Sequence, residues 1–193
     1  PEVTSGRCNI GFWFWELARL PDPWRAALDR LDEVWVASAF VADAVAASTS
    51  KPVSIVRLAI DATPSRRYRR EQFGIPDDVY CFLFTFSFNS YVARKNPLGV
   101  VRAFRRAFPV GRERVALVLK STHGQWYPDR VRELRDLIDG DDRIRLVDGF
   151  MSRDKVFGLE SVVDAYVSLH RSEGFGLGLA ESMYLGKPVI GTA

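Results

Sequence analysis

The sequence has few cysteines: only Cys8 and Cys81 occur among its 193 residues. They lie far apart and within apolar segments, so neither a disulfide framework nor a cysteine-based metal cluster is expected. Apolar runs long enough to span a membrane are lacking, as is the charged-then-apolar pattern of a secretory signal. These absences favour a cytoplasmic protein, and they leave open a peripheral contact with the inner face of the membrane.

Charge of one sign is also not abundant. The formal net charge is +3, which is too small and too dispersed to indicate a nucleic-acid partner without a clustered basic face. The one local concentration is the arginine run "SRRYRR" at 65–70. We interpret this run as a solvated linker or helix start, with a patch for phosphate or anionic lipid as the alternative.

Several catalytic constellations are missing as well. The sequence shows no Ser–His–Asp or Cys–His set with suitable placement and no zinc-ligand spacing. The acidic cluster at 139–143, "DGDDR", resembles carboxylate clusters that hold Mg²⁺, but it lies between a helix and a strand at the amino end of that strand. We therefore predict a solvated turn there, and no metal site.

Short β-branched or aromatic runs alternate with longer amphipathic segments along the whole chain. The alternation predicts an α/β protein, and strands that are apolar throughout predict parallel sheets covered by helices on both faces. The predicted strands are 9–14, 33–38, 53–59, 80–86, 114–120, 143–147, 165–170 and 188–192. The predicted helices are 21–31, 40–48, 96–108, 128–138, 153–162 and 176–186.

The segment 59–81 breaks this rhythm with prolines, glycine and charge, so we place a domain boundary near residue 62. Residues 62–193 contain five predicted strands, enough for most of a Rossmann-like domain, whereas residues 1–61 contain only three. The first part therefore looks partial. We expect residues to be missing before Pro1 and after Ala193.

The C-terminal stretch "SLHRSEGFGLGLAESM" has the layout of an anion site: a strand, a glycine loop and a helix start. Gly174 and Gly176 would let the loop turn and present N–H groups to a diphosphate at the helix N-terminus. Glu181, in the first turns of the helix, could accept hydrogen bonds from a ribose, and Glu173 could meet sugar hydroxyls. The alternative is that the glycines only shape a turn and the glutamates cap or solvate the helix.

The E-x(7)-E arrangement from Glu173 to Glu181, followed by "GKPVIGT", resembles the donor-site signature of retaining glycosyltransferases of the GT-B fold, group 1 or family 4 class. The segments "VDAYVSLHRS", "RLVDGFMSRDKVFGL", "SYVARKNPLGVVRAFRRAF", "ALVLKSTHG" and "LDEVWVASAFVADAV" resemble the same class in order and spacing. The resemblance covers nearly the whole chain.

What the resemblance implies is a metal-independent enzyme without a cofactor. It would bind a nucleoside-diphosphate sugar on the C-terminal Rossmann-like domain and transfer the sugar, with retention, to a saccharide or lipid-linked acceptor, for instance in polysaccharide synthesis. Residues 1–61 would be the last part of the acceptor-side domain. Front-face attack, in which the leaving phosphate helps to take the acceptor proton, needs no protein nucleophile, which agrees with the missing catalytic sets.

Carried over by position, Glu181 would hold the ribose and Glu173 the donor sugar, while the amides of 174–176, including that of Phe175, would serve the sugar and diphosphate. Lys95 in "ARKNP" matches the phosphate-binding lysine of the class, and its charge would stabilise the leaving diphosphate. The class usually has an arginine five residues before that lysine, whereas Ser90 stands there in this sequence. Arg94 could substitute, or Arg94 and Lys95 could simply be a basic helix start.

Three further groups are candidates with a structural alternative each. Lys120, at a predicted strand end, could face the nucleotide or could snorkel. His170, with Arg171 beside it, follows a strand and is interpreted as structural. Trp13 and Trp15, with Glu16 and the nearby Trp24, could form the floor of an acceptor site, or the rings could be core residues.

Two other functions stay open at the level of the sequence. The first is a sugar-nucleotide epimerase of the same overall fold, for which we find no acid/base pair around the sugar. The second is a non-catalytic nucleotide-sugar-binding or assembly module.

Overall fold

The computed structural model describes residues 6–192, and its contacts divide the chain into two compact units. The first unit holds the described residues up to Ala59 together with Ser172–Gly176, and the second holds Ile60–Arg171 and the residues from Leu177 onward. Ser172–Gly176 lies within the second domain expected from the sequence, whereas its contacts group it with the first unit. We also expect residues before Pro1 and after Ala193, and these positions lie outside the described residues.

The first unit contains a three-stranded parallel sheet in the order β1-β2-β3. Its elements are β1 (Ile10–Trp13), α1 (Arg25–Leu28), β2 (Glu33–Val36), α2 (Ala39–Ala46) and β3 (Val53–Ile55). In the central strand Val34 pairs with Gly11 on one side and with Val53 on the other. Central placement explains the complete burial of Val34 and Val36, which form the core with Leu20, Leu28, Val41 and Val45.

The second unit is a five-stranded, all-parallel sheet in the order β6-β5-β4-β7-β8. The strands are β4 (Tyr80–Ser87), β5 (Val115–Thr122), β6 (Ile144–Asp148), β7 (Ala165–Ser168) and β8 (Val189–Gly191). The helices between them are α3 (Val92–Lys95), α4 (Pro97–Ala107), α5 (Pro128–Ile138), α6 (Arg153–Val162) and α7 (Leu177–Tyr184). None of the helices in the described part of the chain is long and apolar enough to cross a membrane.

The α/β prediction is confirmed, and each of the eight predicted strands has a counterpart. Two helical segments differ from the prediction. The segment 21–31 forms a 3-10 turn at Asp22–Trp24 followed by the single-turn α1, and α3 is an additional helix that the periodicity did not indicate. A four-residue helix is too short to show a hydrophobic period, which is why α3 was missed.

The core of the second unit is built from strands that are apolar throughout, as expected for a sheet covered on both faces. Leu83, Phe84, Leu117 and Leu119 are almost completely buried. The Cys81 thiol is also buried, and burial raises its pKa to about 12, which leaves it an unreactive core residue. Cys8, by contrast, is exposed, so the apolar surroundings expected from its neighbours in sequence are not formed.

The arginine run at 65–70 leads into a 3-10 helix that begins at Arg70, in agreement with its interpretation as a helix start, and Arg66, Arg67 and Arg69 are exposed. Other residues of the run are held by specific contacts. The Arg70 guanidinium forms an ion pair with Asp164 at 2.6 Å and donates to the carbonyl of Val79 at 2.7 Å. The phenol of Tyr68 donates to Asp154 at 2.5 Å, and the Arg66 guanidinium lies 4.8 Å from the centre of the Tyr68 ring. These contacts bind the segment to α6 and to the start of the second sheet.

The sheet order reverses direction between β4 and β7, and this is where ligands bind in doubly wound sheets. From the central strand β4 the chain moves outward through β5 to β6, then crosses back to β7 on the other side of β4. The loops that follow β4 and β7 therefore leave the same edge of the sheet in opposite directions. The crevice between them is the expected place for a bound ligand.

Glu160 of α6 is an exception within this apolar unit. Its side chain is 1% exposed, and neither carboxylate oxygen has a hydrogen-bond partner among the described residues. Burial raises the pKa of Glu160 to about 7, and the charge of Arg153 opposes that shift. A buried carboxyl group of this kind is expected to stay protonated below neutral pH.

We predict that Glu160 makes the free energy of unfolding depend on pH. Since its folded pKa lies above the ordinary value of 4.5, the folded state keeps a proton that the unfolded state has already lost. Stability should therefore fall as the pH rises from about 4.5 to about 7, and level off above that, by roughly 3 kcal/mol in total. Urea unfolding of the wild type and of Glu160→Gln across this range measures the difference. Identical pH slopes for the two proteins would contradict the prediction.

Candidate functional site

The loops after β4 and β7 are joined by hydrogen bonds at the point where the sheet order reverses. The backbone N–H of Arg171 donates to the carbonyl of Arg94 at 2.8 Å, and the Asn96 side-chain amide donates to the carbonyl of Leu169 at 2.8 Å. The Arg171 guanidinium also donates to the carbonyl of Ala93. These bonds fix the loop that carries Arg94 and Lys95 against the end of β7.

The backbone after β4 adopts an uncommon conformation to make this arrangement. Tyr91 and Asn96, on either side of α3, both have positive φ angles, of 60° and 58°. Asparagine tolerates this region better than most residues, and the Asn96 side chain also accepts a hydrogen bond from the Gly99 N–H at 3.2 Å, which caps α4. Asn96 therefore ends α3, starts α4 and binds the neighbouring loop. Such left-handed residues are enriched at functional sites.

Arg94 and Lys95 occupy the last two positions of α3 and are half-buried. Neighbouring residues in a helical turn point about 100° apart rather than in opposite directions, so the two side chains leave the helix on adjacent faces. They do not point in opposite directions, as neighbouring residues on a strand would. Ser90, where the class usually has arginine, ends the 3-10 turn Phe88–Ser90.

Additional positive charge lies next to this loop. A cavity of about 380 Å³ is lined by parts of α3, α4 and α5, and it includes Arg102, Arg130 and Arg171. Arg130 forms an ion pair with Glu133 at 3.0 Å. The carboxyl edge of the sheet is thus locally basic even though the net charge of the chain is small.

Lys120 lies within β5, which continues for two residues beyond it, and its side chain is only 4% exposed. Its ammonium group donates to the carbonyls of Ser121 and Gly149, both at 2.5 Å, and burial lowers its pKa. Snorkelling to solvent is therefore excluded. The lysine holds the end of β6 to β5, and a contact with the nucleotide stays a prediction.

Glu181 lies in the second turn of α7 and is 4% exposed, which makes it one of the few buried charged residues. Its carboxylate forms an ion pair with Arg153, the first residue of α6. Sequence reasoning missed Arg153, since nothing in the spacing of two separate helices indicates that their side chains meet.

Gly178 explains how α7 approaches the sheet so closely. A Cβ atom at this position would lie 2.4 Å from the hydroxyl of Tyr166 on β7, which is closer than any real side chain allows. The same hydroxyl is 2.7 Å from the Thr85 hydroxyl on β4. Only glycine lets the first turn of the helix sit over the point where β4 and β7 meet.

The loop Ser172–Gly176, which carries Glu173 and Phe175, packs within the first unit. The Ser38 hydroxyl, which also caps α2, donates to the carbonyl of Gly174 at 2.5 Å. A Cβ atom at position 174 would lie 2.2 Å from the carbonyl oxygen of Trp15, and Gly176 has a φ of +82°. Both glycines are thus required by the local backbone, whatever else the loop binds.

The N-terminal aromatic segment meets this loop. The Ser172 hydroxyl donates to the backbone carbonyl of Glu16, next to Trp15. The Trp13 and Trp15 rings are half-buried, pack against the core of the first unit and lie 6.0 and 4.9 Å from the ring of Trp24. The rings therefore pack as core residues, and contact with an acceptor stays a prediction for Trp13, Trp15 and Glu16.

Two histidines lie at strand ends and are held by serine hydroxyls. Nδ1 of His170 is 3.0 Å from the Ser168 hydroxyl, and Nδ1 of His123 is 2.9 Å from the Ser87 hydroxyl. The His123 ring also stacks on the exposed Trp126, with centroids 5.1 Å apart. The hydrogen bond of His170 agrees with its structural interpretation, while the His123–Trp126 pair was not anticipated.

The acidic cluster at 139–143 forms ion pairs rather than an open group of carboxylates. Asp141 accepts from Arg143 at 2.8 Å and from Arg105 at 3.3 Å, and the Arg143 hydrogen bond lowers the pKa of that carboxyl group. Within residues 6–192, no group of three or more His, Cys, Asp or Glu side chains is placed to hold a metal ion.

Comparison with solved structures identifies the fold. The parallel sheets flanked by helices match those of GT-B glycosyltransferases, so this chain has a GT-B type fold. Against Anabaena HepE, in complex with UDP and glucose, the TM-score is 0.75 at 16% identity, over 95% of this chain and 52% of that one. Against a glycosyltransferase from Rickettsia africae, it is 0.74 at 14% identity, over 94% and 50%.

Sucrose-phosphate synthase from Thermosynechococcus elongatus gives a TM-score of 0.70 at 23% identity, over 88% of this chain and 42% of that one. The chain therefore spans about half the length of these structures or less. No protein-family model and no curated protein matches the sequence. At these identities the likeness defines the fold and does not assign an activity.

We predict that Asn96→Ala destabilises the second unit by about 2–3 kcal/mol, because it loses the cap of α4 and the bond to Leu169 and places a Cβ-bearing residue without compensation at positive φ. Asn96→Gly, which tolerates the backbone conformation, should cost only about 1 kcal/mol. Urea unfolding of both variants measures these costs, with the exposed Asn89→Ala as control. Equal costs for alanine and glycine would show that the backbone conformation carries no penalty.

Proposed function

We propose that this chain forms the donor-binding part of a GT-B retaining glycosyltransferase, which moves a sugar from a nucleoside-diphosphate sugar to a saccharide or lipid-linked acceptor. The observation that supports it is the composition of the crevice in the second unit. The short helix α3, which ends in Arg94 and Lys95, is hydrogen-bonded to the segment after β7, and the helix that follows carries the buried Glu181. The structural neighbour HepE was solved with UDP and glucose, so uridine nucleotides are the first donors to test.

The basic residues of α3 and the carboxylate of Glu181 suit the diphosphate and the ribose of such a donor. Lys95, with Arg94, would bind the diphosphate and stabilise the negative charge that develops as it leaves. The carboxylate of Glu181 would accept hydrogen bonds from the ribose diol. A buried carboxylate makes stronger hydrogen bonds than an exposed one, because water does not compete for them.

The loop Ser172–Gly176 would serve the sugar itself. Glu173 would accept hydrogen bonds from sugar hydroxyls, and the amides of Gly174, Phe175 and Gly176 would contact the sugar and diphosphate. On the acceptor side we retain Trp13, Trp15 and Glu16. Lys120 would act near the nucleotide chiefly by holding the end of β6.

The reaction assigned to this site needs positioning more than side-chain chemistry. The acceptor hydroxyl would attack the anomeric carbon on the face from which the diphosphate leaves, and a phosphate oxygen of the leaving group would take the hydroxyl proton. The bond from the anomeric carbon to the phosphate oxygen breaks, a glycosidic bond forms with the same configuration, and no protein nucleophile takes part. Because Lys95 and Arg94 supply the charge stabilisation, the proposal includes no metal ion. A cytoplasmic protein, with contact to the membrane surface for a lipid-linked acceptor, is part of the same proposal.

We predict that this chain binds one nucleoside diphosphate among UDP, GDP, ADP and dTDP and its sugar derivatives, and that Glu181→Ala weakens the binding by about 1.5–3 kcal/mol through the lost hydrogen bonds. Isothermal titration calorimetry measures both values. The exposed Glu71→Ala is the matched control, because Glu71 also lies in the second unit and forms an ion pair with Arg69.

Absence of binding to all of these nucleotides by a chain shown to be folded would contradict the proposed donor site. Retention is tested separately on the transfer product of the full-length protein. The coupling constant of the anomeric proton should show the configuration of the donor, and an inverted product would contradict the proposed mechanism.

A further inference from the structure

Arg153 is the partner that the structure gives to the buried carboxylate of Glu181. The Glu181 side chain is 5% exposed and that of Arg153 is 54% exposed, so the guanidinium reaches from the surface to a carboxylate in the interior of the second unit. Burial of a carboxylate without a cation is costly, and the group usually takes up a proton instead. The ion pair with Arg153 therefore supplies the cation that a buried carboxylate needs.

The position of Arg153 is itself fixed from several directions. It is the first residue of α6, whose N-terminus is capped by the Ser152 hydroxyl, which accepts from the Lys155 N–H at 3.3 Å. Its guanidinium lies 4.6 Å from the centre of the Phe157 ring, one turn further along α6. A cation held over an aromatic face in this way is restricted in its orientation.

The next residue holds the same end of the helix. Asp154 accepts from the backbone N–H of Ser65 at 2.5 Å and from the Tyr68 hydroxyl at 2.5 Å. The linker segment is thereby bound to the first turn of α6. Arg153 therefore lies at a helix end that is held in place by hydrogen bonds to the linker segment.

Glu160 is a second buried carboxyl group in the same pair of helices. It is buried on α6 and has no hydrogen-bond partner among the described residues, whereas Glu181, on α7, is paired. Arg153 thus forms an ion pair with Glu181, whereas its charge only partly opposes the effect of burial on the pKa of Glu160.

We propose that Arg153 is a positioning residue of the donor site, which holds the Glu181 carboxylate charged and oriented so that it can accept hydrogen bonds from the ribose diol. This inference rests on the proposed function. A charged acceptor forms stronger bonds with hydroxyls than a protonated one, and the restricted guanidinium sets the direction in which the remaining lone pairs point. Arg153 thus acts through Glu181 and need not touch the nucleotide.

The closing experiment is calorimetry with the nucleoside diphosphate that the wild-type chain binds best among UDP, GDP, ADP and dTDP. Arg153→Met, which keeps much of the side-chain length, should weaken binding about tenfold or more, because the charge-assisted bonds of Glu181 are lost. Arg153→Lys should restore binding to within a few-fold of the wild type, since it keeps the cation. A role in helix packing alone would not be rescued by lysine.

The double variant Arg153→Met with Glu181→Gln gives the decisive comparison. If Arg153 acts through Glu181, the double variant should bind no more weakly than Glu181→Gln alone. Arg153→Gln serves as a second neutral variant if the methionine variant does not fold. Arg132→Met is the control, because Arg132 is an exposed partner of an i,i+3 ion pair on α5, with Asp129 at 3.5 Å.

The outcomes separate the inference from the proposed function. A folded wild-type chain that binds none of the four nucleotides overturns the proposed function, and the inference with it. If the wild type binds a nucleotide and both Arg153→Met and Arg153→Gln bind it with the same affinity, the inference is overturned and the proposed function stands. Tighter binding by Arg153→Met also overturns the inference, because Arg153 would then compete with the ribose for Glu181. The inference is likewise overturned if the losses of binding free energy in Arg153→Met and Glu181→Gln add up in the double variant.

Discussion

The parallel pairing of β4 with β7 is the constraint on which the second unit depends. Two residue pairs, Phe82 with Ala165 and Leu83 with Tyr166, define this contact between strands that are far apart in sequence. It places β4 at the centre of the sheet and forces the chain to reverse its direction of winding there. Arg94, Lys95 and Glu181 are brought to one place by that reversal, because the segment after β4 and the segment and helix after β7 leave the same edge of the sheet on opposite sides.

The close packing around Tyr166 carries this constraint into the candidate site. Its hydroxyl bonds to Thr85 on the neighbouring strand and lies where the Cβ of any residue other than Gly178 would be. The first turn of α7 therefore lies directly over the β4–β7 pair, and Glu181 follows one turn later. Packing density in protein interiors leaves little room for adjustment, so a change in the strand pair would move the carboxylate. In this unit the backbone geometry of the β4–β7 pair therefore fixes the position of Glu181.

Sequence patterns predicted the elements and the class of fold, but not the contacts between distant residues. The strands were recognisable because buried parallel strands are apolar throughout, and Asn96–Pro97 marked the start of α4 with a cap and a proline. The ion pair of Arg153 with Glu181 and the grouping of Ser172–Gly176 with the first unit depend on tertiary structure and leave no periodic signal. Short helices such as α3 are missed for a related reason, since a single turn has no period.

The distribution of unsatisfied polar groups shows where this fold departs from optimal stability. Within residues 6–192, the buried side-chain atoms without a hydrogen-bond partner are both carboxylate oxygens of Glu160 and the hydroxyl of Ser182. They lie on α6 and α7, the two helices that supply Arg153 and Glu181. Replacing such groups with apolar residues would usually cost nothing or increase stability. Their position next to the ion pair of Arg153 with Glu181 agrees with the proposed donor site, because local departures from good packing concentrate at functional sites.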